Sequence, residues 1–282
     1  MARTELETDS DGIRYEIDGY TAYVTFARPA ALNAFTPAMM RAGARAIQDA
    51  DEREEVRGIV VTGEGEAFCS GADLGETIPL WTADTTNVEP DNDDLHLRRT
   101  LVTTPIVAAV NGDCLAGGME FLQATDIRIA AESARFGLTE ARWGVSPVSG
   151  SHVRLPRQLP YAHAMEYLLT ADMFPAEHAA EAGLINEVVP DGETLARAEA
   201  VVDSIAQNSL TPSRRPRRPC SGVTTSRSMT PSGSNRNSVG MSSHTATPRR
   251  GRVRSSRAGT HRSGPRSDAG MCRVRRPDAG HD

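Results

Sequence analysis

Any hydrophobic core in this chain has to come from residues 1–210, because the last 72 residues contain no Leu, Ile, Phe, Tyr or Trp. In that final segment, 211–282, Arg, Ser, Gly, Pro and Thr supply 51 residues. Ordering such a stretch costs conformational entropy that its small apolar surface cannot offset, so disorder is expected. The charge balance breaks at the same place. Residues 1–210 carry 15 Arg against 34 acidic residues, whereas 211–282 carry 16 Arg against 3 Asp. A clustered-arginine arm could bind nucleic acid non-specifically through its phosphates. The composition is equally what an out-of-frame reading of a GC-rich gene gives, and we read the segment that way. The expected division is a domain over 1–210 and a basic Arg/Ser/Pro/Gly-rich tail over 211–282.

All 31 basic residues are arginine, since the chain contains no lysine. That excludes a Walker phosphate loop, a Schiff-base lysine and the kinase lysine, each of which needs an ammonium. The patterns HExxH, GxSxG and strand-preceded GxGxxG are also missing. Four cysteines form no CxxC pair and have no His at ligand spacing, which points to reduced thiols without structural zinc. No run approaches the ~20 apolar residues of a membrane-spanning helix. The acidic start MARTELETDSDG lacks the pattern of a secretory leader, so a cytoplasmic location and no membrane partner are expected.

Within residues 1–210, periodicity separates strands from helices. Tyr20–Phe26 alternates, with Ala22, Val24 and Phe26 on one face. Thr36-Pro37 gives an N-cap followed by Pro at the first helical position, and Met40, Ala44, Ile47 and Ala50 continue a helical stripe. Short buried strands are expected at Gly58–Thr62, Ile106–Val110, Ile127–Ala130 and Leu184–Val189. Helices are expected at Gly117–Ala124, Ala162–Ala171, Ala176–Ala182 and Glu193–Ala206. This alternation indicates an α/β domain. Residues 77–97 read as a polar, irregular excursion, either beside a site or on the surface.

Two stretches share a strand, a small-residue turn and a helix start: Ala67–Leu74 and Leu115–Glu120. Small residues let a ligand approach the backbone, and N–H groups at a helix start lack internal partners. Two such turns facing each other would place two donors on one developing oxyanion. Glu120 follows the second turn directly, and Glu140 comes after the next strand. Paired carboxylates divide acid and base work when their surroundings separate their pKa values; otherwise they are two of 37 acidic residues on wet surfaces. Cys69 reads as a small buried hydrophobe rather than a nucleophile. His96, His152, His163 and His178 receive no role, and Trp81 and Trp143 serve either packing or an acyl pocket.

Five segments occur together in order: ARPAALNAF (27–35), GEAFCSGADL (65–74), PIVAAVNGDCLAGGMEF (105–121), DIRIAAESARFGLTEARWGVSP (126–147) and AAEAGLINEVV (179–189). In these the chain resembles the crotonase family of enoyl-CoA hydratases and isomerases over about residues 12–208. The resemblance implies a spiral of ββα units, usually assembled as trimers or dimers of trimers. It implies an oxyanion hole from the N–H groups of Ala72 and Gly117, with Glu120 and Glu140 as the catalytic glutamates. It places the coenzyme A site along Ala30–Leu32 and Ser70–Leu74, so that Ala30, Leu32, Ser70, Asp73, Leu74, Gly118 and Val148 would contact an acyl-CoA.

The implied activity is hydration of a trans-2-enoyl-CoA without metal or redox cofactor, coenzyme A being part of the substrate. Isomerases of the family keep only the glutamate matching Glu140, so both glutamates favour a hydratase over an isomerase or another thioester enzyme. A third alternative is a catalytically impaired product with a nucleic-acid-binding tail. Three departures stand out. Val148 replaces a Gly common in the hydratases, Ala30 and Gly75 stand where many members have Lys, and the basic tail replaces the family's C-terminal helices.

The tail reading carries its own test. Residues 211–282 are expected to give no protected amides in hydrogen exchange and to be the first region cut by trypsin. Protection there, or unfolding of the domain on deletion of 211–282, would contradict it.

Overall fold

The computed structural model describes residues 4–6, 12–79 and 90–208. The expectations for the tail, for Cys220 and Cys272, and for Trp81 lie outside the described residues. Strands β1 (Thr4–Leu6), β2 (Ile13–Asp18), β3 (Thr21–Phe26), β4 (Gly58–Gly63), β6 (Ile106–Val110), β8 (Ile127–Ala131) and β11 (Glu187–Val189) form a seven-stranded sheet in the order β1-β2-β3-β4-β6-β8-β11. Strands β5 (Ala67–Cys69), β7 (Asp113–Leu115), β9 (Arg135–Gly137) and β10 (Phe174–Pro175) form a second sheet in the order β10-β9-β7-β5. The pairs β4–β5, β6–β7 and β8–β9 each send their first strand to the large sheet and their second to the small one. Neighbours from β3 to β11 in the large sheet are parallel, as are β5, β7 and β9 in the small one. The result is the mixed α/β spiral of ββα units that the five segments led us to expect.

The local reasons are visible in the residues. Ala22, Val24 and Phe26 are all fully buried, as the alternation in β3 requires. Helix α1 (Pro37–Glu52) starts where Thr36 accepts the Met39 N–H at 3.1 Å. It buries Met40, Ala44, Ile47 and Ala50 against the sheet. Helix α5 (Thr194–Ala206) covers the opposite face, packing Ala198 and Val202 on Val60, Val107 and Ala109. Phe26 stands at the centre of the core, edge-on to Phe35, Phe68 and Phe121 with centroids 5.0, 5.4 and 5.5 Å away. Among the described residues no helix is long and apolar enough to cross a membrane.

Several elements depart from the periodicity. The expected strand at Leu184 begins only at Glu187, because Leu184 and Ile185 donate to the Ala179 carbonyl and finish the preceding turn. A helix α2 (Pro90–Leu95) lies inside the stretch read as irregular, and it carries Asn92, Leu95 and the following His96 into the interior. A further helix, α4 (Ser151–Gln158), leaves no helical stripe in the sequence because it contains Pro156 and buries the polar residues Ser151 and Arg154.

Helix α3 (Gly117–Leu122) is pressed directly onto β5. A Cβ on Gly118 would sit 2.4 Å from the Cys69 carbonyl oxygen and 2.8 Å from the Cys69 Cβ. Gly118→Ala therefore has no room without moving backbone, and should lower unfolding free energy by at least about 2 kcal/mol in urea denaturation. Wild-type stability in this variant would contradict so tight a contact.

Candidate active site

The segment after β5 is fixed by its pairing with Phe35. Phe35 N–H donates to the Gly71 carbonyl at 2.7 Å, and Asp73 N–H donates to the Phe35 carbonyl at 2.9 Å. Alternate peptide groups of an extended chain point in opposite directions, so the Ala72 N–H faces away from Phe35. The second turn ends β7. Ala116 donates to the Gly137 carbonyl at 2.8 Å, and Gly117 begins α3, where helix geometry offers its N–H no internal acceptor. Among the described residues neither the Ala72 nor the Gly117 N–H finds a hydrogen-bond acceptor.

The two turns touch. A Cβ on Gly71, whose φ is +110°, would lie 2.8 Å from Ala116 Cβ and 3.2 Å from Gly117 N. One on Gly117 would lie 3.6 Å from Ala72 N. Glycine at 71 is thus required both by conformation and by the approach of the neighbouring turn.

These donors open on a cavity of about 660 Å³. Of the residues expected at the site, Ser70, Ala72, Asp73, Leu74, Gly117, Glu120, Glu140 and Val148 line it. Ala30, Leu32 and Gly118 do not line it, although Ala31 does; Leu32 is 48% exposed, and Gly118 is buried within α3 against Cys69 of β5. Leu32 nevertheless shapes the wall, since its carbonyl accepts the Ser70 N–H at 3.0 Å. Asp73 is tied to Arg28 at 3.2 Å and accepts the Gly75 and Glu76 N–H groups. Burial works against its charge, but these donors keep its carboxyl below the usual range. Phe35, Met40, Ile78 and Val145 supply apolar wall, and Trp143, 73% exposed, stands at the rim rather than in the core.

The two carboxyls are held very differently. Glu120, on the first turn of α3, is 3% exposed. Its Oε1 accepts the Ser149 N–H at 2.8 Å, the Ser151 hydroxyl at 3.1 Å and the Ser151 N–H at 3.3 Å. Burial raises its pKa, and the donors on Ser151 and Ser149 oppose that rise. Glu140 sits on a 3₁₀ turn, Thr139–Trp143, and both its carboxyl oxygens are buried without a hydrogen-bond partner. Burial first, then the negative charge of Glu120, push it up to about 8.

Residues without a sequence-derived role complete the site. Asn92 hydrogen-bonds the Ser149 hydroxyl at 3.1 Å. Arg154 is 7% exposed and donates to the Glu120 and Ser149 carbonyls at 3.4 Å, to Leu97 at 3.2 Å and to the His96 carbonyl. His96, 1% exposed, lies 2.8 Å from the Asn92 carbonyl through Nδ1 and 3.1 Å from the Gly117 carbonyl through Nε2. Burial pushes its imidazole down to about 4, against the two carbonyls that favour protonation. The spacing of Asn92, Leu95 and His96 on one helical face was the available signal, submerged in an acidic run. The Ser149 and Ser151 pair around Gly150 left none.

Comparisons with known proteins identify the family of the chain. The model of the enoyl-CoA hydratase/isomerase family matches residues 16–217, and the chain belongs to that family. It is 43% identical over 206 residues to enoyl-CoA hydratase EchA19 of Mycobacterium tuberculosis, covering 72% of this chain and 77% of that protein. It is 34% identical over 194 residues to the short-chain-enoyl-CoA hydratase of Clostridium acetobutylicum, covering 68% and 74%. Among solved structures, an enoyl-CoA hydratase from Mycobacterium tuberculosis superposes with a TM-score of 0.65 at 34% identity, covering 71% of this chain and 77% of that one.

One residue of the site is strained. Ala116 adopts φ 47° and ψ −121°, a conformation that an alanine side chain disfavours. Ala116→Gly should therefore raise unfolding free energy by about 1 kcal/mol in urea. Destabilisation would show that the Ala116 methyl contributes packing worth more than the strain it brings.

Proposed function

We propose that this chain adds water across the C2–C3 double bond of a trans-2-enoyl-CoA. The observation that carries the reading is the pair of buried, partnerless Glu140 oxygens sharing a cavity with Glu120 and with two unpaired N–H groups. Buried carboxyl oxygens are normally hydrogen-bonded, and exceptions call for an explanation such as catalysis. In this reading the thioester carbonyl lies against the Ala72 and Gly117 N–H groups, and the acyl chain lies along Phe35, Met40 and Ile78.

Each carboxyl suits a different task. Glu120, with three donors on Oε1, is equipped to carry negative charge and to hold a water at Oε2. Glu140, kept neutral by burial and by Glu120, is equipped to give up a proton. Water loses a proton to Glu120 as its oxygen bonds to C3, and the π electrons move onto the thioester oxygen. The two N–H groups stabilise that enolate, each worth roughly 3 kcal/mol by the scale of other oxyanion holes. Glu140 then protonates C2, the carbonyl re-forms, and a 3-hydroxyacyl-CoA results. One proton passing from Glu120 to Glu140 through solvent closes the cycle. No cofactor enters this scheme. An isomerase would need a single carboxyl at Glu140, and the donors gathered on Glu120 favour hydration.

Glu120→Gln and Glu140→Gln should each lower kcat for an enoyl-CoA at least ~100-fold with the fold intact by circular dichroism. If Glu120→Gln kept isomerase activity while Glu140→Gln lost it, the second assignment would hold instead. The wild-type kcat/KM should fall as pH rises through about 8, because Glu140 then loses the proton it must donate. Near-wild-type turnover in both variants would remove these residues from the mechanism.

A further inference from the structure

The turn before the Gly117 donor is held mainly by backbone: Ala116 N–H donates to the Gly137 carbonyl, and the Ala116 carbonyl accepts the Glu120 N–H. Gly117 and Gly118 both lack a Cβ, and Ala116 before them is strained. Among the described residues, His96 is the one side chain that hydrogen-bonds to any part of Leu115–Gly118, reaching the Gly117 carbonyl at 3.1 Å. The imidazole is itself rigidly seated. It stands edge-on to Phe35 at 5.9 Å and to Phe121 at 6.4 Å between centroids, and Arg154 holds its own carbonyl.

Both ring nitrogens face carbonyl oxygens, and a neutral imidazole has one N–H to share between them. The Nδ1 contact is to the carbonyl four residues back, a proximity that helix geometry imposes. That oxygen also receives the His96 backbone N–H at 3.2 Å. The Nε2 contact instead joins segments 21 residues apart and anchors a glycine in the catalytic turn. We propose that His96 is a positioning residue whose Nε2–H donates to the Gly117 carbonyl and so aims the Gly117 N–H at the substrate oxygen. The proposal rests on the reading of Gly117 N–H as an oxyanion donor. Restraining the carbonyl fixes the peptide that follows Gly117 Cα, and thereby limits how far the donor before it can swing.

Two substitutions separate the nitrogens. A Gln amide nitrogen stands where Nε2 stands, and an Asn amide nitrogen where Nδ1 stands. His96→Gln should keep kcat within ~5-fold of wild type, whereas His96→Asn should lower it ~30-fold with KM changed under ~3-fold, the scale expected for a misaligned catalytic group. The absorbance red shift of bound cinnamoyl-CoA, which reports polarisation of its thioester carbonyl, should survive in His96→Gln and shrink in His96→Asn. Nitrogen-15 spectra of the full chain should find His96 protonated on Nε2. A ring protonated on Nδ1, or Gln and Asn variants alike in kcat and red shift, would overturn the proposal. If the wild-type chain hydrated no enoyl-CoA, the reading of its activity would fail, and the tautomer would still decide the role of His96.

Discussion

The site depends on how closely two backbone turns can approach each other. Residues 71–72 and 116–117 come within van der Waals contact only because position 71 carries no Cβ and tolerates φ of +110°. Both turns hang from strands in register in the small sheet, where Cys69 pairs with Cys114. Beneath them the Phe26 cluster supplies the floor, since Phe68 lies just before the first turn and Phe121 just after the second. Core packing and the placement of the unpaired N–H groups are therefore one problem. A change in ring volume at Phe68 or Phe121 acts on donors only four residues away along the chain.

The electrostatics of the cavity follow from burial of two carboxyls with unequal hydrogen bonding. Glu120 and Glu140 share one enclosed space, and two negative charges in it repel. Burial raises both carboxyls, and the seryl and backbone donors gathered on Glu120 oppose that rise there, whereas Glu140 has no side-chain or seryl donor to do so. Arg154 brings together the three segments that create this difference, those of His96, Glu120 and Ser149, and does so through their carbonyls.

Much of this was legible in the sequence, because the strongest signals there are periodic. The alternation in Tyr20–Phe26 and the capped stripe from Thr36 survive intact, and the small-residue turns at 71–72 and 116–117 lie where their composition placed them. What stayed hidden has physical reasons. Strands β5, β7 and β9 span three residues each, too few for a period of two to register. Helix α4 buries Arg154, a residue that patterning assigns to solvent, because the guanidinium finds carbonyls rather than water. The different settings of Glu120 and Glu140 depend on Ser149 and Ser151, which are distant in sequence from Glu120 and marked by no motif. The Ala30–Leu32 loop reaches the cavity through Ala31, while Leu32 is half exposed.

The unpaired donors at Ala72 and Gly117 are peptide groups, and this separates the chemistry of the site from its spelling. Position 72 is already alanine, so truncation scanning would record nothing there, and at 117 any replacement adds atoms instead of removing a function. Side chains at these two positions report on available space alone. Comparisons of residue identity across relatives thus measure how the turns are accommodated, while the groups facing the cavity are written in backbone conformation, which every amino acid except proline can carry.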